Sequence, residues 1–122
     1  MARILVIDDE DLVRLTDRQT LELAGHTVVE ASNGRDGIDM FKAHKPDLVV
    51  TDLIMPEMEG IETIAQLRRA QADLRIIAMS GGGRTGNMNF LDMAERLGAS
   101  RILGKPFDVD EFAAIVDEVL AG

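Results

Sequence analysis

Five short runs of mainly aliphatic, β-branched residues alternate along this chain with five segments of helical period. The runs are Arg3–Ile7, Thr27–Ala31, Leu48–Thr51, Arg75–Met79 and Arg101–Leu103. The helical segments are Asp11–Ala24, Gly34–His44, Gly60–Ala70, Asn87–Leu97 and Val109–Leu120. Runs so nearly continuous in apolar residues predict strands covered on both faces, as in a parallel sheet between two layers of helices. Strict strand–helix alternation with right-handed crossovers then predicts a doubly wound, three-layer α/β sandwich of (βα)5 type. Gly25 and Gly98 stand where helices should stop, and Ser32-Asn33-Gly34 and Asp108 where they should start. At 122 residues and 46% hydrophobic content, residues 1–122 read as one domain with its own core.

The strand order follows from composition. The second run is the most polar and the fifth the shortest, so both suit the edges of the sheet. Strands 1 and 3 are then central, in the flavodoxin-like order 2-1-3-4-5, whose switch point lies between them. Groups just past the carboxyl ends of the strands share one crevice in such folds. There the sequence places Asp8 and Asp9 after strand 1, Asp52 after strand 3, Ser80 after strand 4 and Lys105 after strand 5.

Taken singly these residues say little. An acidic run such as Asp8–Asp11 ordinarily opens a solvated helix and favours its dipole. Asp52 could simply end a strand, Ser80 make a turn, and Lys105 be solvated. Their conjunction at four strand ends is the signal. Three carboxylates repel unless a cation lies between them, and oxygen ligands without His or Cys select Mg²⁺, with Mn²⁺ as a substitute, over zinc. One carboxylate can then attack phosphorus as a nucleophile. Asp52 is the natural acceptor, standing alone on a central strand while Asp8 and Asp9 look like a metal-binding pair. The Ser80 hydroxyl and the Lys105 ammonium suit the phosphoryl oxygens. The glycine run Gly81–Gly86 lacks the Gly-Lys-Ser/Thr ending of a phosphate-binding loop and reads as a plain loop after the fourth strand.

The remaining composition narrows the class. A net charge of −9 and the absence of Trp and Tyr argue against direct nucleic-acid binding. No cysteine is present, so disulfides and thiolate metal sites are excluded. The first apolar stretch is too short for a signal peptide, nothing reaches the length of a membrane span, and a cytoplasmic location is expected.

With these residues in place the chain resembles the receiver domains of two-component response regulators along its whole length. The resemblance is carried by Ile4-Leu5-Val6-Ile7-Asp8-Asp9-Glu10, Asp47–Pro56, Gly60, Ser80-Gly81, Gly98-Ala99 and Lys105-Pro106-Phe107. It implies that Asp52 accepts a phosphoryl group from a phosphohistidine on a kinase or phosphotransfer protein. It also implies that Asp9, Asp52 and the backbone carbonyl of Ile54 bind Mg²⁺ directly, with Asp8 acting through water. Ser80 and Lys105 would hold the phosphoryl oxygens, and the Lys105–Pro106 bond would be cis. Gly82 and Ile54 would flank the route of attacking water. Two departures stand out. Ile102 occupies the strand-5 position where such domains usually carry a Tyr or Phe switch, and the stretch from Ser80 to Lys105 is longer than usual.

The first predicted helix carries Val13, Thr16, Thr20 and Ala24 on one face and Leu12, Leu15 and Leu23 on another. The leucine patch is expected to dock the phosphodonor. Because the chain stops after the fifth helix, a stand-alone receiver is expected. It would be a phosphoacceptor rather than an enzyme, monomeric or dimerising on phosphorylation, and it would act on an unidentified downstream protein. The alternative is a degenerate receiver that docks without a phosphorylation switch. A haloacid-dehalogenase-type enzyme is disfavoured, since Glu10 stands where that chemistry wants an aspartate two residues after the strand-1 nucleophile.

Overall fold

The computed structural model describes residues 2–53, 60–80, 96, 98–104 and 107–122. In chain order the described elements are β1 (Arg3–Ile7), α1 (Asp11–Leu23), β2 (Thr27–Ala31), α2 (Gly34–His44), β3 (Leu48–Asp52), α3 (Gly60–Ala70), β4 (Arg75–Ser80), β5 (Arg101–Gly104) and α4 (Val109–Ala121). The strands form one sheet in the order β2-β1-β3-β4-β5, and every pairing is parallel. The polar second run and the short fifth run do form the edges. The helix expected at Asn87–Leu97 lies, apart from Arg96, outside the described residues.

Alternation along the strands divides the core into two layers. Ile4, Val6, Leu48 and Val50 point to the face covered by Leu21 of α1 and by Phe112 and Val116 of α4. Leu5, Ile7 and Val49 point to the opposite face, under Phe41 of α2 and Ile64 and Leu67 of α3. Both central strands are therefore buried on two sides, which explains their lack of polar alternation. Gly37 lets α2 approach closely, since a Cβ there would come within 2.4 Å of Ile7 Cδ1.

The helix ends follow local chemistry. Asn33 caps α2 by accepting the Asp36 N–H at 2.8 Å, and Asp108 caps α4 by accepting the Glu111 N–H at 2.7 Å. α1 stops one residue earlier than expected, with Ala24 as its cap and Gly25 at φ +95°. α2 ends on Lys45, a non-glycine in the left-handed region at φ 49°. β3, β4 and β5 each run one residue past the expected end and α4 extends to Ala121, because the hydrogen-bond ladders and helical turns outlast the apolar pattern. The inner face of α1 is narrow. Asp17 and Leu21 are its buried residues, while Thr16 and Ala24 are exposed.

Candidate functional site

Parallel pairing brings the carboxyl ends of β1, β3 and β4 to one side of the sheet. Asp8 follows the last residue of β1, and its N–H donates to the Ala31 carbonyl at 3.1 Å. Asp52 is the last residue of β3, with its Cα opposite that of Met79 in β4. Both side chains are buried, at 0% and 6% exposure.

The backbone around Asp52 is fixed from three directions. The Leu53 N–H donates to the Met79 carbonyl at 2.9 Å, extending the ladder beyond the strand. The Thr51 hydroxyl donates to the Asp52 carbonyl at 3.0 Å. The Gly60 N–H, in the first turn of α3, donates to the Leu53 carbonyl at 2.8 Å. A Cβ on Gly60 would fall 2.1 Å from the Asp52 carbonyl oxygen and 2.4 Å from Leu53 Cα. Only glycine allows the helix to come so near the end of the strand.

Carboxylate oxygens of Asp8, Glu10 and Asp52 all lie within 4.8 Å of one another. The structure thus unites two of the expected acids, Asp8 and Asp52, and adds Glu10. Asp9 is exposed and is not one of these three. Glu10 is the N-cap of α1, in extended conformation, yet its side chain makes no capping bond, and its N–H donates to Asp8 Oδ1 at 2.9 Å. The unused signal was the place of Glu10 in the same acidic run, two residues after Asp8 and with its N–H within reach of the Asp8 carboxylate.

Arg14 crosses behind the acids. Its guanidinium donates to the Asp8 carbonyl at 2.7 Å, to Asp11 Oδ1 at 2.7 Å and to Glu30 Oε1 at 3.1 Å. Partial burial opposes its charge, but hydrogen bonds and attraction from Asp11 and Glu30 outweigh that and hold its pKa above the ordinary value. Arg18 is raised likewise, chiefly by its hydrogen bond to Glu30 and then by Glu22.

Three carboxylates with no His or Cys among them are a hard-oxygen donor set, which fits a divalent cation of the Mg²⁺ or Mn²⁺ kind and not zinc. Ser80 closes β4 with its Cα opposite that of Gly104. The Ser80 side chain, Lys105 with its bond to Pro106, Ile54 and the run Gly81–Gly86 lie outside the described residues. Ile102 lies in β5 opposite Ala78 and is partly buried. The leucines of α1 face outward, Leu12 at 78%, Leu15 at 47% and Leu23 at 90% exposure. Among the described residues, no helix is long and apolar enough to cross a membrane.

Comparison with known proteins agrees with this geometry. The family described as response regulator receiver domain matches residues 4–117. The chain is 34% identical to the chemotaxis protein CheY of Bacillus subtilis over 119 residues, covering 97% of both chains. It is 30% identical to the sporulation initiation phosphotransferase F of the same organism, covering 97% of this chain and 93% of that one. A receiver-domain crystal structure from Clostridium thermocellum superposes with a TM-score of 0.91 at 26% identity, covering 99% of this chain and 95% of the other.

Proposed function

The chain belongs to the response regulator receiver family of two-component signalling, and from that premise we propose that Asp52 is its phosphoacceptor. Asp8, Asp9 and the Ile54 carbonyl would join Asp52 in holding Mg²⁺, and Ser80 and Lys105 would hold the phosphoryl oxygens. The observation that supports this best is the convergence of the Asp8, Glu10 and Asp52 carboxylates at the switch point between β1 and β3.

A bound Mg²⁺ would supply charge neutralisation for the incoming phosphoryl oxygens. The chain's own residues do the rest. Asp52, braced by Thr51, Leu53 and Gly60, presents a carboxylate oxygen from a fixed strand end. That oxygen attacks phosphorus, the P–N bond to the donor histidine breaks, and its electron pair leaves with the imidazole. The product is a mixed anhydride on Asp52. Transfer of this kind needs positioning and charge stabilisation more than covalent machinery. Turnover is then confined to self-phosphorylation and hydrolysis of the aspartyl phosphate.

The phosphodonor is a histidine kinase or phosphotransfer protein, docked against Leu12, Leu15 and Leu23 of α1. A kinase drawing on ATP would meet the chain in the cytoplasm. With Ile102 at the usual aromatic position, output cannot run through reorientation of a ring there. No observation favours docking without phosphorylation.

The test is the intact mass of wild type and Asp52→Asn after incubation with Mg²⁺ and acetyl phosphate. A gain of one phosphoryl mass that requires both Mg²⁺ and Asp52 is expected. No adduct at any time, together with no Mg²⁺-dependent binding of beryllofluoride, would sink the reading.

A further inference from the structure

Where β1 leaves the sheet, the Asp8 carbonyl has passed the end of the strand, and a side chain supplies its donor. Arg14 Nη1 reaches back from the first turns of α1 to that oxygen at 2.7 Å. The same guanidinium engages two further segments, through Nη2 to Asp11 Oδ1 at 2.7 Å and through Nε to Glu30 Oε1 at 3.1 Å on the edge strand β2. One planar group thus ties together the end of β1, the opening of α1 and the carboxyl-terminal part of β2. Its side chain is only 16% exposed. Glu30 is steadied in turn by Arg18, which bonds its other carboxylate oxygen.

We propose that Arg14 is a positioning residue of the acidic site, holding the Asp8 carbonyl so that residues 8–10 leave β1 in the one direction that turns Asp8 and Glu10 toward Asp52. This rests on the phosphoacceptor reading above and adds to it a residue outside the carboxylate cluster. The chain of contacts is continuous. Arg14 fixes the Asp8 carbonyl, the Asp8 carboxylate receives the Glu10 N–H at 2.9 Å, and the Glu10 carboxylate lies beside Asp52. The positive charge also moderates the repulsion within Asp8–Asp11. Charge alone would be available from a lysine, whereas three directed bonds to three segments require the rigid guanidinium fork.

Arg18 provides an internal control. It sits on the same helix and shares Glu30, but its hydrogen bonds go to Glu22 and Glu30 and not to the acidic loop. The experiment is calorimetric titration of Mg²⁺ into wild type, Arg14→Gln, Arg14→Lys, Arg18→Gln and Asp52→Asn, with folding checked by circular dichroism. Arg14→Gln is expected to weaken Mg²⁺ binding about tenfold, in the range for residues that orient metal ligands from behind. Arg14→Lys should recover only part of the loss, and Arg18→Gln should match wild type.

Wild-type Mg²⁺ affinity in a folded Arg14→Gln variant would overturn the proposal. Full recovery in Arg14→Lys would do the same by assigning the effect to charge, and an equal loss in Arg18→Gln by assigning it to the α1–β2 ion pairs. Should Arg14→Gln fail to fold, Glu30→Gln removes the anchor of the guanidinium and should weaken Mg²⁺ binding more than Arg18→Gln does. Equality of those two would overturn the proposal. A wild type that binds no Mg²⁺ and gains no phosphoryl group would remove the underlying site reading. Intact wild-type binding with an indifferent Arg14 removes the positioning role alone.

Discussion

Two residues show how backbone geometry limits what the sequence can vary. Gly60 lies against the end of β3 so closely that a methyl group would overlap the Asp52 carbonyl and Leu53 Cα, both backbone atoms that cannot swing aside. Gly60→Ala should cost about 1–3 kcal/mol, the usual penalty for overpacking, and should slow phosphorylation because the strain falls on the acceptor's own peptide. Gly104→Ala is the matched control, since a Cβ there meets nothing within 4 Å; its effect should stay within about 0.5 kcal/mol. Urea denaturation of both variants decides the first point, and phosphoryl incorporation into Gly60→Ala decides the second. Lys45 presents the opposite case. Its φ of 49° closes α2, with its N–H bonded to the Phe41 carbonyl at 2.9 Å, in a conformation that suits glycine better. Lys45→Gly should stabilise the fold by about 0.5–1 kcal/mol, read as a higher urea midpoint at unchanged slope.

At the scale of elements, α1 has two separate tasks. Its inner side buries Leu21 and Asp17, while Leu12, Leu15 and Leu23 stand in solvent on the outer side. Solvent-exposed leucines contribute little to folding, so replacing them should separate docking from stability. The double variant Leu15→Lys, Leu23→Lys should melt within a few degrees of wild type and accept phosphoryl groups from acetyl phosphate normally. Transfer from the cognate phosphodonor should fall at least about tenfold, the effect of losing roughly 1.4 kcal/mol of contact. Unchanged transfer would exclude this face. The outer leucines were legible because a helix of period 3.6 displays them plainly. The inner face was not legible, because Asp17 is charged and hydropathy gives no reason to bury it. The inner strands β1, β3 and β4 were legible because burial on both faces leaves an unbroken apolar run, and the edge strands β2 and β5 by their polarity and shortness. Their final residues were not, because ladder bonds to Asp52, Ser80 and Gly104 depend on neighbouring strands and not on the residues themselves.

At the scale of the whole molecule, the site was legible as a meeting of strand ends, since topology alone carries Asp8 and Asp52 to one crevice. Glu10 was hidden by its place at a helix start, where an acid has a sufficient local reason to be present. The chain also carries 22 acidic against 13 basic residues, so the acids of the site lie in a field that already disfavours compaction. A divalent cation bound to the folded state relieves that repulsion where it is densest. The stabilisation follows from mass action, about 2.7 kcal/mol at a free concentration one hundred times the dissociation constant. Wild type should therefore melt at a higher temperature in Mg²⁺ than in NaCl of equal ionic strength, a comparison that removes general screening. Asp52→Asn loses one of the three carboxylates of the cluster and should lose most of the Mg²⁺-specific increment, while its response to NaCl stays that of wild type. An equal Mg²⁺ increment in both proteins would mean that the cation acts on the acidic surface at large and not at the carboxyl end of the sheet.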